Sequence, residues 1–296
     1  MKTILLTGGT GYLGSTILMR LADEGHRVIL LKRSFSNTER IKNYIKKITV
    51  YDIDLVPLET VFHENTIDVI IHCATDYGRS ETTPLPVVEA NFLFPLKLLE
   101  LGKKYRVTCF INTDTILDKR IDNYSLSKKQ FKEWLFVYRQ NFGCVNVALE
   151  HFYGPGDNPT RFVTYIVHSL LKNADRIDLT KGEQIRDFIY IDDVVDAFIK
   201  IVNSSDTFLR DFYEFEVGTT HALSIRKFVE LAKKISGNTK TALNFGAIPY
   251  RENEIMNHNA DITEISRLGW KCTISPAEGL KKMFESEKRL INHELS

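Results

Sequence analysis

Thr7-Gly-Gly-Thr-Gly-Tyr-Leu-Gly14 is the stretch on which the fold turns. It follows the apolar run Thr3-Ile-Leu-Leu-Thr7, which reads as a strand, and it opens a segment whose periodicity reads as a helix over Ser15 to Glu24. Gly8, Gly11 and Gly14 have the G-x-x-G-x-x-G spacing, with Gly9 as an additional flexible point. Missing Cβ atoms permit a tight turn, close approach of a pyrophosphate, and packing of helix on strand. Exposed N–H groups and the helix dipole then favour the anion. Gly8, Thr10, Gly11, Tyr12, Leu13 and Gly14 are therefore candidate cofactor-binding residues. A glycine-rich turn with no such use is the plainer alternative; the strand before it and the helix after it argue against that.

Working outward, Arg27-Val-Ile-Leu-Leu31, Lys47-Ile-Thr-Val50, Asp68-Val-Ile-Ile-His72, Val107-Thr-Cys-Phe-Ile111 and Val145-Asn-Val-Ala-Leu149 also read as strands. Most are apolar at successive positions, the pattern of strands covered on both faces. Leu85 to Lys104 and Tyr124 to Gln140 read as single helices between them. This alternation predicts an α/β fold with a parallel, doubly wound sheet of the Rossmann type. From about Gly154 the rhythm breaks at Pro155 and Pro159, and helices outnumber strands. Ile191 to Val202 is helical in period, and Ser224 reads as the N-cap of a helix running to about Ile235. The expected division is a dinucleotide-binding domain over 1–153 and a smaller substrate-binding lobe over 154–296, with some of its segments returning to the sheet.

Composition narrows the function. The 296 residues carry a formal net charge of +1, with 43% hydrophobic and 26% charged residues. That is an ordinary globular balance with no electrostatic footprint for nucleic acid or an acidic membrane. Cys73, Cys109, Cys144 and Cys272 are scattered, and none forms a C-x-x-C pair; Cys73 and Cys109 sit in runs that read as buried strands. Neither a disulfide framework nor a metal site is expected. The chain opens directly into a strand, without signal-peptide architecture, and no apolar run reaches membrane-spanning length, so a cytoplasmic location is expected.

The end of the second strand separates two cofactor chemistries. A carboxylate there pairs with the ribose 2′-OH of NAD, whereas a cation accepts the 2′-phosphate of NADP. Here the chain reads Leu31-Lys32-Arg33-Ser34, with no acid at the tip. Arg33, assisted by Lys32 or Ser34, suits the phosphate of NADP(H), although a solvated basic loop has the same composition. Asp54 is placed to contact the adenine edge or to cap a helix. Cys73, Ala74 and Thr75 end the fourth strand, where small side chains let backbone pass close to a cofactor.

Tyr124-Ser-Leu-Ser-Lys128 carries the expected chemistry. Residues i and i+4 share one face of a helix. A free phenol ionises near pH 10, and a neighbouring ammonium favours the phenolate. Tyr124 is thus a proton donor to a carbonyl that accepts hydride, and Lys128 both tunes it and holds the nicotinamide ribose. Thr113, in Ile111-Asn-Thr-Asp-Thr115, supplies a hydroxyl for the same carbonyl, and Asp114 is placed to assist or to hydrogen-bond the local turn.

The chain resembles the extended short-chain dehydrogenase/reductases, the nucleotide-sugar epimerase/dehydratase family, over nearly its whole length. The glycine loop, Asn91, Thr113, Tyr124 and Lys128 match. So do Phe152-Tyr-Gly-Pro-Gly156, Gln184 to Asp193 and Ala260 to Trp270. The resemblance implies that Asn91 serves the cofactor site, and that Arg186 and Arg251 bind a nucleotide-sugar diphosphate. The alternatives are an ion pair of Arg186 with Asp187 or Asp192, and a local pair of Arg251 with Glu252. Tyr77, Arg79 and His151 are further candidate substrate-binding residues; His151 stands where relatives carry asparagine.

Within this family the dehydratases carry glutamate where Thr115 stands, and only ten residues separate Thr113 from Tyr124. With Lys32-Arg33, these features imply net reduction by NADPH. Cys-Ala-Thr-Asp-Tyr-Gly-Arg and Glu-His-Phe-Tyr-Gly-Pro are most similar to reductases of the CDP-abequose and CDP-paratose synthase type. That implies reduction of the C4 ketone of a CDP-linked deoxy-4-keto-hexose for bacterial surface polysaccharide. An epimerase that retains NAD is the nearer alternative and a non-catalytic NADP redox sensor the more distant one. Family resemblance also implies a homodimer through the helices over Leu85 to Lys104 and Tyr124 to Gln140.

Overall fold

Strands built from consecutive apolar residues need cover on both faces, and the first half of the chain provides it. In the computed structural model, which describes residues 1–79, 83–219, 221–251 and 253–294, the strands are β1 (Thr3–Thr7), β2 (Arg27–Lys32), β3 (Thr49–Asp52), β4 (Val69–His72), β5 (Cys109–Thr115) and β6 (Gly143–Leu149). Helices α1 (Tyr12–Asp23), α2 (Leu58–Glu64), α3 (Leu85–Val88), α4 (Phe94–Lys104) and α5 (Asn123–Tyr138) lie between them. Downstream follow β7 (His151–Tyr153), α6 (Phe162–Leu171), β8 (Arg176–Leu179), β9 (Ile185–Arg186), β10 (Phe188–Tyr190) and α7 (Ile191–Asn203). The chain continues with β11 (Phe212–Val217), β12 (Leu223–Ser224), α8 (Ile225–Ser236), β13 (Ala242–Phe245), α9 (Thr263–Arg267) and α10 (Pro276–Glu294).

The main sheet runs β3-β2-β1-β4-β5-β6-β11, and the pairs from β3 to β6 are parallel. Leu5 of β1 faces Ile29 of β2 and Ile70 of β4 in register, and all three are fully buried. They pack with Phe110, Phe131 and Leu135 in one core cluster. Each such side chain contributes about 1.5–3 kcal/mol by leaving water. The strand order reverses between β1 and β4. At such a switch point the crossover connections diverge and leave a crevice at the carboxyl ends of the strands.

Two compact units are present. The first is Met1–Leu149 with Val195–Glu216 and Arg267–Trp270; the second is Glu150–Val194 with Val217–Ser266 and the chain from Lys271 on. In the second unit β7 pairs in parallel with β10, β9 pairs antiparallel with β12, and β8 pairs in parallel with β13. Asp193, in the first turn of α7, ties down the 272–274 segment. It accepts from Cys272 Sγ, from the Thr273 amide and hydroxyl, and from the Ile274 amide.

Three local expectations change. Leu85 to Lys104 is not one α-helix: Glu89–Leu93 forms a π-helical turn between α3 and α4. Pro95 has no N–H to give the Asn91 carbonyl, and its ring collides with that carbonyl in an α-turn. The ladder therefore slips, and the Phe94 amide donates to the Glu89 carbonyl, five residues back. Cys73 lies beyond the end of β4 and is only partly buried. Gly9 is a packing point rather than a flexible one, since a Cβ there would come within 2.7 Å of Leu30 Cδ1. Among the described residues, no helix is long and apolar enough to cross a membrane.

Candidate active site

The glycine loop sits at the sheet's switch point. Gly8 has φ of +70°, and a Cβ on it would meet the Ala74 amide nitrogen at 2.4 Å and the Cys73 carbonyl carbon at 2.5 Å. Only glycine lets the loop after β1 press on the loop after β4. Gly14 is equally constrained, with the Gly8 carbonyl oxygen 2.2 Å from where its Cβ would be. The Gly11 amide donates to the Gly8 carbonyl at 2.9 Å and closes the turn. Gly11 is the N-cap of α1 and offers no side chain, so the start of the helix carries no side-chain cap and its dipole can receive an external anion.

Behind this loop, Thr7 Oγ1 hydrogen-bonds Nδ1 of the fully buried His72 at 2.8 Å and accepts from the Ala74 amide at 3.2 Å. Burial, and secondarily the Lys128 charge, hold His72 well below the usual histidine range, so its ring is neutral. Thr113, on β5, donates its hydroxyl to the His72 carbonyl at 2.9 Å.

Helix α5 presents the tyrosine–lysine pair. Its start is fixed by a capping box, in which Asp122 accepts from the Ser125 amide and Ser125 Oγ accepts from the Asp122 amide. Lys128 is 1% exposed, and its Nζ has no hydrogen-bond partner among the described residues. Burial pushes its pKa down to about 8, against the opposing attraction of Asp114 and Cys73. Burial likewise pushes the Cys73 thiol up to about 12, which makes it inert. The partly buried Tyr124 ring lies 4.9 Å from that of Tyr77, and the exposed Arg79 guanidinium sits over Tyr77 at 5.4 Å.

Asn91, expected at the cofactor, has both its acceptor and its donors engaged by the protein. Oδ1 accepts from Thr75 Oγ1 (3.1 Å) and the Asp76 amide (2.8 Å), while Nδ2 donates to the Asp76 carbonyl (2.8 Å) and Ser127 Oγ (3.1 Å). It clamps the loop after β4 to α5 one residue before Lys128. Asp114 is drawn into a buried network instead of facing a ligand. Oδ2 accepts from Lys129 Nζ and from Asn146 Nδ2, both at 3.0 Å, and Oδ1 accepts from the Thr115 amide.

The tip of β2 also differs from its sequence. No acid follows Lys32 in the chain, but parallel pairing brings β3 alongside, and Lys32 Nζ bonds Asp52 Oδ2 at 3.1 Å. Asp54 accepts from the Ser34 amide at 2.8 Å, so it ties two loops together and caps no helix. Arg33 stays exposed over the Phe35 ring. A second cation, Arg40, lies 5.6 Å from the Tyr12 ring centre at the glycine loop. Sequence patterns do not reveal it, because the sixteen residues between β2 and β3 carry no periodicity that shows which way they fold back.

In the second unit, Arg186 is 7% exposed and donates to Glu254 Oε1 at 2.5 Å, and also to the Ile185 carbonyl. Its ion-pair partner is therefore neither Asp187 nor Asp192. Asp187 accepts from the Thr219 amide and hydroxyl, and Asp192 faces Lys282 at 3.6 Å. His151 lies in β7 with Nδ1 3.5 Å from the buried Glu150 carboxylate, to which it makes no hydrogen bond and which accepts one from His258. Arg251 is exposed, and Glu252 beside it lies outside the described residues.

A dinucleotide fits the first unit on two counts. The helix start at the glycine loop has no side-chain cap and can receive a pyrophosphate, and Lys128 is a buried ammonium whose Nζ has no hydrogen-bond partner among the described residues, as a ligand's ribose hydroxyls would require.

The profile of the NAD dependent epimerase/dehydratase family matches residues 4–213. A CDP-abequose synthase of Salmonella muenchen is 34% identical over 296 residues, spanning 97% of this chain and 98% of the relative. Among solved structures, UDP-glucose 4-epimerase of Thermotoga maritima, in complex with UDP-glucose, superposes with a TM-score of 0.83 at 24% identity. It covers 98% of this chain and 99% of its own. UDP-glucuronic acid 4-epimerase of Bacillus cereus, in complex with UDP-glucuronic acid and NAD, also has a TM-score of 0.83, at 23% identity, covering 97% and 99%. At those identities the structures speak for the fold; the profile and the full-length relative speak for ancestry. With its glycine loop at the switch point and the Tyr124–Lys128 pair on α5, the chain belongs to the NAD-dependent epimerase/dehydratase family of enzymes.

Proposed function

We propose that this enzyme reduces the C4 ketone of a CDP-linked deoxy-4-keto-hexose with NADPH. The observation that carries the oxidoreductase chemistry is Lys128, an ammonium buried at 1% exposure one helical turn from Tyr124 and without a protein acceptor. The 34% identity to CDP-abequose synthase along nearly the whole chain supports the choice of substrate. Arg33 and Arg40 near the glycine loop favour the 2′-phosphate of NADPH.

A bound nicotinamide cofactor supplies the hydride. Tyr124 donates a proton to the ketone oxygen as that oxygen gains charge, and the Lys128 ammonium stabilises the phenolate left behind. Thr113, rotating from the His72 carbonyl, gives the same oxygen a second hydrogen bond. Arg186 binds the diphosphate, for which it must share or exchange Glu254. His151, Arg251, Tyr77 and Arg79 complete the proposed substrate contacts.

A second reading, an epimerase retaining NAD, draws support from Asp52 and Asp54, which reach from the end of β3 to the tip of β2. One assay separates the two: NADPH absorbance followed with CDP-, GDP-, dTDP- and UDP-linked 4-keto sugars. Stoichiometric NADPH consumption, fastest with the CDP sugar, is expected. Protein that purifies with tightly bound NAD and consumes no NADPH would be the epimerase. Tyr124→Phe is expected to lower kcat by roughly 10²–10⁴-fold and leave NADPH binding intact; near-normal turnover would refute the assignment.

A further inference from the structure

Glu150 follows the last residue of β6, and its side chain is sealed from solvent. Its surroundings leave it few partners. Gly218 lies against both Glu150 Cγ and Asp187 Oδ2, which stand 2.9 Å and 2.7 Å from where a Cβ would be, so no side chain fits between them. Asp187 is committed to Thr219 and Arg186 to Glu254. The Arg186 charge attracts Glu150 through space, and the nearest polar contacts of Glu150 are a pair of imidazoles. Oε1 accepts from Nδ1 of His258 at 2.5 Å, and Oε2, which makes no hydrogen bond, stands 3.5 Å from Nδ1 of His151.

Backbone pairing sets both histidines beside the Ile185–Phe188 stretch. The Ile185 amide donates to the Met256 carbonyl at 2.7 Å, and Ile185 bridges to Asn257, which brings His258 along one side. The His151 amide donates to the Asp187 carbonyl, and His151 is in register with Phe188, which brings β7 along the other. Both rings keep an open edge, with side-chain exposures of 39% for His151 and 25% for His258. Among the described residues no group hydrogen-bonds either Nε2.

A carboxylate only accepts, so its bond to His258 holds the hydrogen on that Nδ1, and its charge 3.5 Å from the unbonded Nδ1 of His151 favours the same tautomer there. When the imidazole is neutral, that tautomer presents a bare lone pair at Nε2. Such an edge accepts from a hydroxyl and repels a phosphate oxygen. We propose that Glu150 is a positioning residue that turns His151 and His258 into a pair of hydroxyl acceptors, selecting hydroxyl groups of the nucleotide sugar. This rests on the nucleotide-sugar reading and adds the part of the ligand that the pair recognises. Sugar-ring and ribose hydroxyls offer the same chemistry.

The test combines long-range ¹H–¹⁵N spectra of the histidines with kinetics of wild type, Glu150→Gln and His258→Ala. His258→Ala leaves the buried carboxylate in place, so it still reports should Glu150→Gln fold poorly. Nδ1–H tautomers are expected in the wild type and a redistributed tautomer in Glu150→Gln. Both variants should raise KM for the nucleotide sugar about tenfold, the loss of one or two neutral hydrogen bonds, with kcat changed less than about threefold and NADPH binding unaltered. Calorimetry with CDP alone and with its 2′-deoxy form tells whether the hydroxyl lost is on the ribose or on the sugar. Unchanged KM in both variants, unchanged tautomers in Glu150→Gln, or a parallel fall of kcat and NADPH affinity would overturn the proposal. A wild-type protein that binds no nucleotide sugar would instead remove the functional reading beneath it.

Discussion

Lys128 shows how a residue can be legible in sequence while its energetics are not. The Y-x-x-x-K spacing puts it on the face of Tyr124, but only the fold shows that Lys129, its neighbour, takes the Asp114 carboxylate and leaves Lys128 buried without a hydrogen bond among the described residues. The depression of its pKa to about 8 is a stability statement. Between pH 8 and the ordinary lysine value the unfolded chain holds a proton that the folded chain lacks. Stability therefore rises with pH across that window, and the penalty is at its full size below it. A shift of this size corresponds to about 3 kcal/mol. Lys128→Met is expected to stabilise the ligand-free protein at pH 7 by up to that amount, with the gain shrinking towards pH 10, while turnover is lost. Urea unfolding at the two pH values checks it, and a destabilised variant at pH 7 would contradict the reading.

At the scale of elements, the π-turn between α3 and α4 is the piece that apolar periodicity could not reveal. Pro95 is visible in the sequence, yet a proline in a helical pattern signals a kink or an end equally well. Which one occurs depends on whether the freed carbonyl and the displaced side chain find partners, and here Asn91 finds four. Asn91→Ala would strand buried donors and acceptors of Asp76 and Ser127, at about 3 kcal/mol. A lower urea midpoint is expected, together with a loss of turnover beyond what stability explains, since the clamp ends next to Lys128. Equal stability with full turnover would show that Asn91 is dispensable.

For the whole molecule, the proposed partner is a second copy of the chain. Leu85, Leu93, Leu126, Trp134 and Val137 are exposed large apolar residues on α3, the π-turn and α5, all within the first unit. Such residues mark an interaction surface when they form one contiguous patch. Trp134→Glu is expected to give monomers by analytical ultracentrifugation where the wild type sediments as a dimer. A monomeric wild type would sink the proposal. Parallel pairing across the sheet also explains Lys32. Its counter-charge, Asp52, is twenty residues away in sequence and adjacent in space, so the basic reading of Lys32-Arg33 falls to Arg33 alone.

The sequence by itself determined the doubly wound sheet, the glycine loop and the Tyr124–Lys128 pair. Each depends on spacing within one segment: apolar runs for covered strands, glycines three apart for a turn, and i, i+4 for one helix face. Tertiary structure alone decided which charges are free. It gave Asp52 to Lys32, Glu254 to Arg186, Lys129 to Asp114 and His258 to Glu150. These partners come from other strands or loops, brought close by strand pairing and burial. Coulomb attraction and desolvation depend on distance in space, which local sequence patterns do not encode.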